Sequence, residues 1–165
     1  MSEQQYKAVR AWFLARPAAL AALRAADKAL PALVYLPYTA LLGWLAFAGD
    51  PRLWRAAGVP AAAFLLGSGL RAALNRPRPY EVYGLPPLVP KQTKGQSFPS
   101  RHLFSAGVIA AAFWWISPPL GLALAGITAL LAPERVLAGV HFVRDVLAGA
   151  ALGGLCGWLG FWVLG

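Results

Sequence analysis

Long apolar blocks alternate with short polar segments along most of this chain. After a mixed N-terminal stretch there are five such blocks, at residues 30–48, 56–74, 100–116, 120–132 and 143–164. Because a helix rises about 1.5 Å per residue, blocks of this length approach the thickness of a bilayer core, about 30 Å. The pattern predicts an all-α fold, a polytopic membrane helical bundle with five transmembrane helices in one domain over residues 1–165.

The N-terminal segment, residues 1–29, has a helical pattern but is a poor membrane span. Arg16, Arg24 and Asp27 interrupt its apolar residues. An amphipathic helix that lies in the membrane interface accommodates such charges, because its cations remain near lipid phosphates. We therefore expect an interfacial amphipathic helix over residues 1–29, which Pro17 kinks or restarts. The alternative is that residues 1–29 cross the membrane as a sixth span.

The composition is typical of a membrane protein, and the placement of the positive charges indicates which partner they bind. Hydrophobic residues make up 59% of the chain and charged residues 13%, while the net charge is +9. Such a basic chain often binds nucleic acid. Here the cations lie in short stretches between apolar blocks, which favours anionic lipid head groups as partners and no nucleic acid. The single cysteine, Cys156, excludes an intrachain disulfide.

Five spans place two polar loops on the same face of the membrane. The long loop, residues 75–99, holds five prolines between positions 77 and 90, which exclude a regular helix over most of it. The second loop covers residues 133–142. Both histidines of the chain, His102 and His141, fall on this predicted face.

His141 and Asp145 are the first candidates for chemistry. They are four residues apart, a spacing that puts two side chains on one helical face. The carboxylate can then accept the Nδ1–H of the imidazole, which leaves Nε2 free to attack or to take a proton. Arg135 supplies a nearby permanent cation for an anionic oxygen. The residues alone fit equally well a polar loop at the membrane surface.

A second cluster runs from the end of the second apolar block to the start of the third. Arg71 lies one turn inside its span, where an unpaired charge is costly and usually functional. Ser100 marks the start of a helix. Its hydroxyl either caps that helix or joins the free backbone N–H groups in a phosphate cradle. His102 is placed to donate a proton to a leaving oxygen. Other cations in this region fit substrate binding or snorkelling anchors equally well: Arg76, Lys91 and Lys94.

Several other chemistries do not fit these residues. A zinc site needs three or four ligands, and a two-metal phosphatase site needs more carboxylates than this chain offers there. No Walker A loop, dinucleotide fingerprint or serine-nucleophile elbow is present in the sequence. The remaining interpretation is a phosphate handled by arginines and histidines, without metal or another cofactor. A nucleophilic His141 would form a phosphohistidine.

These residues resemble the type 2 phosphatidic acid phosphatase (PAP2) superfamily, which shares its site with vanadium haloperoxidases. Its signature has three parts: Lys, six residues, Arg-Pro; then Pro-Ser-Gly-His; then Ser-Arg, five residues, His, three residues, Asp. The corresponding parts of this chain, in order, are Arg71 with Arg78-Pro79, Pro99-Ser100-Arg101-His102, and Glu134-Arg135 with His141 and Asp145. The order and the spacing agree in all three parts, over residues 71–145.

The resemblance implies a role for each of these residues. His141 would be the nucleophile, Asp145 its orienting partner, and His102 the acid for the leaving group and later the base that activates water. The phosphoryl oxygens would be held by a larger set, namely Arg71, Arg78, Ser100, the backbone N–H of Arg101, and Arg135.

Three positions depart from the signature, and none of them removes a catalytic group. Arg71 replaces a lysine and changes the geometry of the hydrogen bonds. Arg101 replaces a glycine and adds bulk and charge. Glu134 replaces a small residue and is expected either to weaken anion binding or to pair with an arginine.

The sequence therefore predicts an integral-membrane, metal-independent lipid phosphatase that acts through a phosphohistidine. Its expected substrate is a lipid phosphomonoester or diphosphate such as undecaprenyl diphosphate, phosphatidylglycerol phosphate or phosphatidic acid. Resemblance to the family implies a multi-pass protein of the bacterial inner membrane whose site, on the side of residues 75–99, faces the periplasm or the cell exterior. The alternative is a non-catalytic protein that binds or transports anionic lipids. The oligomeric state is left open.

Overall fold

The computed structural model describes residues 1–164, and these form helices and loops without a β-strand. Two short helices and five long ones follow one another along the chain. Their bounds are Glu3–Leu14 (α1), Pro17–Phe47 (α2), Arg52–Leu74 (α3), Pro79–Val82 (α4), Arg101–Ile116 (α5), Pro118–Leu137 (α6) and Val143–Trp158 (α7), and a π-helical turn at Leu159–Val163 continues α7. The predicted all-α fold is confirmed.

Four segments are long and apolar enough to cross a membrane: Pro17–Phe47, Arg52–Val82, Pro118–Leu137 and Val143–Val163. The fifth long helix, α5, has only 16 residues and so a length of about 24 Å, which is less than a bilayer core. The count of five spans therefore stays a prediction, although five long helices are present in residues 1–164.

Helix α5 lies at the centre of the bundle. Its residues Leu103, Ala106, Ile109 and Phe113 are buried against residues of α2, α6 and α7. Helix α7 approaches it closely, because a Cβ at Gly149 would lie only 2.6 Å from the carbonyl oxygen of Ser100. This close approach brings the start of α7 against the start of α5.

The N-terminal segment differs from its prediction. A break after α1 lets α2 begin at Pro17, as the proline indicated, but α2 then continues past residue 29 with Pro31 inside it. The restart at Pro17 is as expected, but the predicted boundary between an N-terminal helix ending at residue 29 and a first span beginning at residue 30 is wrong. The reason is tertiary: Arg24 donates to the carbonyl of Leu88 at 2.9 Å and Asp27 pairs with Arg135, so these charges have protein partners. That α1 lies in the membrane interface stays a prediction.

The two polar loops meet, as the predicted topology requires. The N–H of Leu88 in the long loop donates to the carbonyl of Ala138 at 3.0 Å, and Arg78 Nη1 donates to the carbonyl of Val140 at 3.2 Å. An apolar cluster of Phe13, Leu23, Leu88, Val89, Ala138 and Val140 lies beneath this junction. The prediction that residues 75–99 and 133–142 share one face of the bundle is confirmed.

Candidate active site

His141 lies in the loop between α6 and α7, and Asp145 is the third residue of α7. The predicted shared helical face is therefore wrong, since the histidine precedes the helix. The turn that begins α7 brings the two side chains together instead. Asp145 Oδ2 accepts the backbone N–H of Phe142 at 3.0 Å and lies 3.7 Å from His141 Nδ1.

A serine that the sequence analysis did not select completes this arrangement. The hydroxyl of Ser97 donates to Asp145 Oδ2 at 2.6 Å and lies 3.4 Å from His141 Nδ1. Since 3.7 Å is too long for a direct hydrogen bond between His141 and Asp145, Ser97 is the group that links them. Its backbone N–H donates to the carbonyl of Arg76 at 2.8 Å. The only signal in the sequence is its position two residues before Pro99-Ser100.

The surroundings of His141 keep its imidazole neutral at neutral pH. Burial is the main cause that lowers its pKa to about 4, and Arg78 and Arg71 act in the same direction, while Asp145 opposes them. With Nδ1 turned toward Ser97 and Asp145, Nε2 is the nitrogen with a free lone pair. A neutral, oriented imidazole is suited to nucleophilic attack.

Two buried arginines flank this histidine. Arg71 donates to the backbone carbonyl of Pro99, and Arg78 donates to those of Gly95 at 3.0 Å and Val140 at 3.2 Å. Neither forms an ion pair with a carboxylate within residues 1–164. Buried guanidinium groups without an acidic partner favour an anion between them.

Ser100 adds a polar group to the same place. It is the N-cap residue of α5, as predicted, but its side chain makes no capping hydrogen bond. Its Oγ is buried and has no hydrogen-bond partner in the described part of the chain. A buried hydroxyl without a partner is costly unless a ligand satisfies it, which favours the predicted phosphate cradle over a capping role.

His102 lies where this polar centre meets an apolar cavity. Together with Arg101 it lines a space of about 850 Å³ between α2, α3 and α5. The other walls of that cavity are mainly apolar, with Leu42, Phe64, Leu65 and Ile109 among them. An apolar chain that occupied the cavity would present its polar end to His102.

Arg135 and Lys91 complete the cationic cluster. Arg135 is buried, with its Nη1 2.8 Å from Asp27 Oδ1 and its Nε 2.7 Å from Glu134 Oε2. Glu134, the departure from the expected small residue, thus pairs with an arginine. Burial lowers the pKa of Lys91, and the nearby cations Arg78, Arg101 and Arg135 lower it further, which places Lys91 in the cluster. Arg76 and Lys94 are exposed.

The chain is similar to known proteins in both sequence and fold. The family described as the PAP2 superfamily matches residues 52–165. The chain belongs to the PAP2 superfamily. This match confirms the family inferred from the three signature parts, and the apolar helices make the chain a multi-pass membrane protein.

Two curated relatives are similar to part of this PAP2 chain. A lipid A 1-phosphatase of Rhizobium etli is 35% identical over 94 residues, which cover 54% of this chain and 40% of that protein. A lipid A 1-phosphatase of Rhizobium johnstonii is 34% identical over 93 residues, covering 54% of this chain and 38% of that protein. The alignments thus span less than half of the length of these relatives.

Two solved structures resemble nearly the whole chain. One is a transmembrane PAP2 type phosphatidylglycerolphosphate phosphatase from Bacillus subtilis, with a TM-score of 0.71 and 27% identity over 96% of this chain and 81% of that one. The other is LpxE of Aquifex aeolicus, with a TM-score of 0.69 and 25% identity over 93% of this chain and 92% of that one. The likeness extends to the N-terminal helices, which the family match at residues 52–165 does not include.

The fold brings the three PAP2 signature parts together. Asp145 of the third part accepts, through its backbone carbonyl, the N–H of Ser100 of the second part at 2.8 Å. Arg78 of the first part donates to the residue before His141, and Arg71 donates to Pro99. Segments more than sixty residues apart in sequence are thus joined by direct hydrogen bonds.

Proposed function

We propose that this protein is an integral-membrane lipid phosphatase that hydrolyses a lipid phosphomonoester or diphosphate, without a metal ion, through a phosphohistidine at His141. The observation that carries the proposal is a single buried constellation. His141 is oriented by Ser97 and Asp145 and is flanked by two arginines, Arg71 and Arg78, that have no carboxylate partner in residues 1–164.

In the first step, Nε2 of His141 attacks the phosphorus of the lipid phosphate. A P–N bond forms while the bond from phosphorus to the leaving oxygen breaks, and His102 donates a proton to that oxygen. The imidazole becomes cationic as the bond forms, and the Asp145 carboxylate stabilises this charge through the Nδ1–H side. Arg71, Arg78, Ser100, the backbone N–H of Arg101 and Arg135 hold the phosphoryl oxygens.

In the second step, water replaces the histidine. His102, now neutral, takes a proton from the water as its oxygen attacks phosphorus, the P–N bond breaks, and inorganic phosphate leaves. His141 returns to its neutral form, and the proton that His102 took from the water is passed to the next leaving oxygen or released. The low pKa of His141, about 4, favours this return because the free imidazole holds no extra proton at neutral pH.

The apolar cavity supports a lipid as the substrate. Its volume of about 850 Å³ and its mainly apolar walls suit an acyl or prenyl chain, and its polar end is at His102, the proposed acid for the leaving group. Two relatives are named lipid A 1-phosphatases, and one structural neighbour is a phosphatidylglycerolphosphate phosphatase. The substrates to test are therefore lipid A phosphates, phosphatidylglycerol phosphate, phosphatidic acid and undecaprenyl diphosphate.

We further propose that the protein resides in a bacterial inner membrane with its site facing the periplasm or the cell exterior. Substrate would then be taken from the outer leaflet of that membrane. Unpaired cations on the catalytic face, such as exposed Lys94 and Arg76, suit the anionic head groups that surround the substrate there.

Phosphate release from these four lipids, by the protein purified in detergent with EDTA present, tests the proposal. We expect turnover of at least one lipid, abolished in His141→Ala and retained in Lys94→Ala, a matched variant at an exposed cation of the long loop. Full turnover by His141→Ala would refute the mechanism. Lipid binding by the wild-type protein without any phosphate release would favour the alternative, an anionic-lipid binding or transport protein.

A further inference from the structure

Arg135 is attached to a helix that lies outside the PAP2 match. Its Nη1 lies 2.8 Å from Oδ1 of Asp27, and its Nη2 donates to the backbone carbonyl of the same residue at 3.0 Å. Asp27 belongs to α2 and precedes Arg135 by 108 residues, whereas the family matches residues 52–165. Nothing in the three signature parts points to this contact.

The position of Asp27 is itself held by its neighbours on α2. Arg24 is three residues earlier, on the same helical face, and donates to the carbonyl of Leu88 at 2.9 Å. Leu23 is buried in the apolar cluster that also contains Leu88 and Ala138, immediately after the end of α6. The register of Asp27 against the end of α6 is therefore determined by a hydrogen bond and by apolar packing.

Glu134, the other acidic residue beside Arg135, cannot hold its guanidinium against a second helix. Its Oε2 lies 2.7 Å from Arg135 Nε, but within residues 1–164 neither carboxylate oxygen has a hydrogen-bond partner. It is also the preceding residue of the same helix, so it cannot fix Arg135 relative to another element. Glu134 therefore lies beside the guanidinium on the same helix, while Asp27 ties it to a second helix.

We propose that Asp27 is a positioning residue for the phosphate site, holding the guanidinium of Arg135 in the orientation that contacts a phosphoryl group. The inference rests on the proposed function, in which Arg135 binds phosphoryl oxygens. Because Arg135 is buried, losing this partner leaves an arginine whose only acidic neighbour among residues 1–164 is on its own helix. The planar guanidinium binds two oxygens of a phosphate only in a defined orientation, so its loss weakens anion binding.

Orthovanadate, a mimic of the five-coordinate phosphoryl centre, tests binding without turnover. We expect Asp27→Ala to weaken vanadate binding about tenfold, measured as the vanadate-induced rise in the unfolding temperature, since a charge-assisted contact is lost. With lipid substrate, KM should rise more than kcat falls. Asp27→Asn keeps the size of the side chain and covers the case in which alanine disturbs folding, and Asp27→Glu should recover part of the affinity.

The matched control is Asp50→Asn, which removes another aspartate–arginine pair, Asp50 with Arg52 at 2.6 Å, beyond the far end of α2. It should leave vanadate binding unchanged. Unchanged or tighter binding in Asp27→Ala and Asp27→Asn would overturn the inference, since tighter binding means that the carboxylate competes with the anion.

A double variant separates positioning from a general structural role. If Asp27 acts through Arg135, adding Asp27→Ala to Arg135→Ala should not weaken vanadate binding further. An additional loss of the same size in that background would show that Asp27 acts through the fold and would overturn the inference. Failure of the proposed function is distinguishable, because it would appear as absent phosphate release while vanadate binding still depends on Asp27.

Discussion

Two regions on the side of the bundle that carries the candidate site both contain hydrogen bonds from arginine side chains to backbone carbonyls, but these bonds have different consequences. In the signature region, Arg71 and Arg78 donate to backbone carbonyls of the segments around Pro99 and His141. In the N-terminal segment, Arg10 and Arg24 donate to backbone carbonyls of Pro86 and Leu88 in the long loop. Arg71 and the two N-terminal arginines join helices to the long loop, which lacks regular structure over most of its length. Arg78 lies in that loop and joins it to the loop before α7.

The difference between the two regions is burial. Arg71 and Arg78 are 6% and 4% exposed, so carbonyl oxygens alone do not compensate their charge and they retain a strong attraction for an anion. Arg24 is exposed to solvent, which already screens its charge. We therefore expect the same kind of hydrogen bond to support an anion-binding site in one region and a structural brace in the other.

Among substitutions at these arginines, we expect the largest effect on activity at Arg78. Arg78→Ala removes a buried guanidinium that we propose holds a phosphoryl oxygen, together with its hydrogen bonds to Gly95 and Val140. We expect kcat/KM for the lipid phosphate to fall about 100-fold or more, as for other preorganised donors to a transition state. Arg76→Ala, at an exposed arginine two residues earlier, serves as the control and should change kcat/KM little. Equal effects of the two substitutions would contradict the distinction by burial.

The pKa of His141 provides a second, intermediate test. Burial lowers the pKa of this imidazole from 6.5 to about 4, so His141 should stay neutral as the pH falls and become protonated only near pH 4. The chain contains two histidines, and the variant His102→Ala therefore leaves a single imidazole for an NMR titration. A midpoint near 6.5 in the folded variant would show that His141 is not buried beside the two arginines.

The sign of the accompanying stability change follows from the same shift. Between pH 4 and 6.5 the unfolded chain binds more protons at this residue than the folded one, so stability should rise with pH across that window. The neutral form of His141, which the proposed mechanism requires, is lost only below about pH 4. Activity that declines at higher pH must then depend on another group.

The smallest expected effect is at the N-terminal brace. Arg24→Ala removes the hydrogen bond to the carbonyl of Leu88, and we expect a loss of about 1 kcal/mol in the free energy of unfolding. Thermal unfolding in detergent measures it, and Lys7→Ala, which breaks only the exposed pair with Glu3 at 2.5 Å, should have less effect. A drop in kcat/KM as large as that of Arg78→Ala would show that the brace takes part in the site.

Much of the site could be predicted from local sequence because its parts are short and regularly spaced. Six of the site residues were selected from spacing and residue type, namely Arg71, Ser100, His102, Arg135, His141 and Asp145, while Arg78 was assigned through the family signature. Hydrogen bonds join the segments that carry them. Their catalytic roles stay predictions, as do the substrate and the orientation in the membrane. Lys91, left open by the sequence, lies among the cations of the site.

What could not be predicted depends on contacts between distant segments. Ser97 is 48 residues from Asp145, and Asp27 is 108 residues from Arg135, so no local pattern contains either pair. The predicted helix boundary near residue 29 was wrong for the same reason, namely contacts with distant segments. From sequence alone, a charged side chain in a membrane helix is expected to be unfavourable because its partner is unknown. The partner of Arg24 lies on the long loop and that of Asp27 lies on α6.

The sequence by itself determined the all-helical membrane fold and the family, and it indicated candidate reactive side chains, because hydrophobic block length and motif spacing are local properties. Only the tertiary structure decided how His141 is held. The spacing to Asp145 suggested one helical face, but the pair meets across the turn that begins α7, with Ser97 between them. The close approach of α7 to α5 at Gly149 produces that junction, and such packing depends on the whole bundle rather than on any one segment.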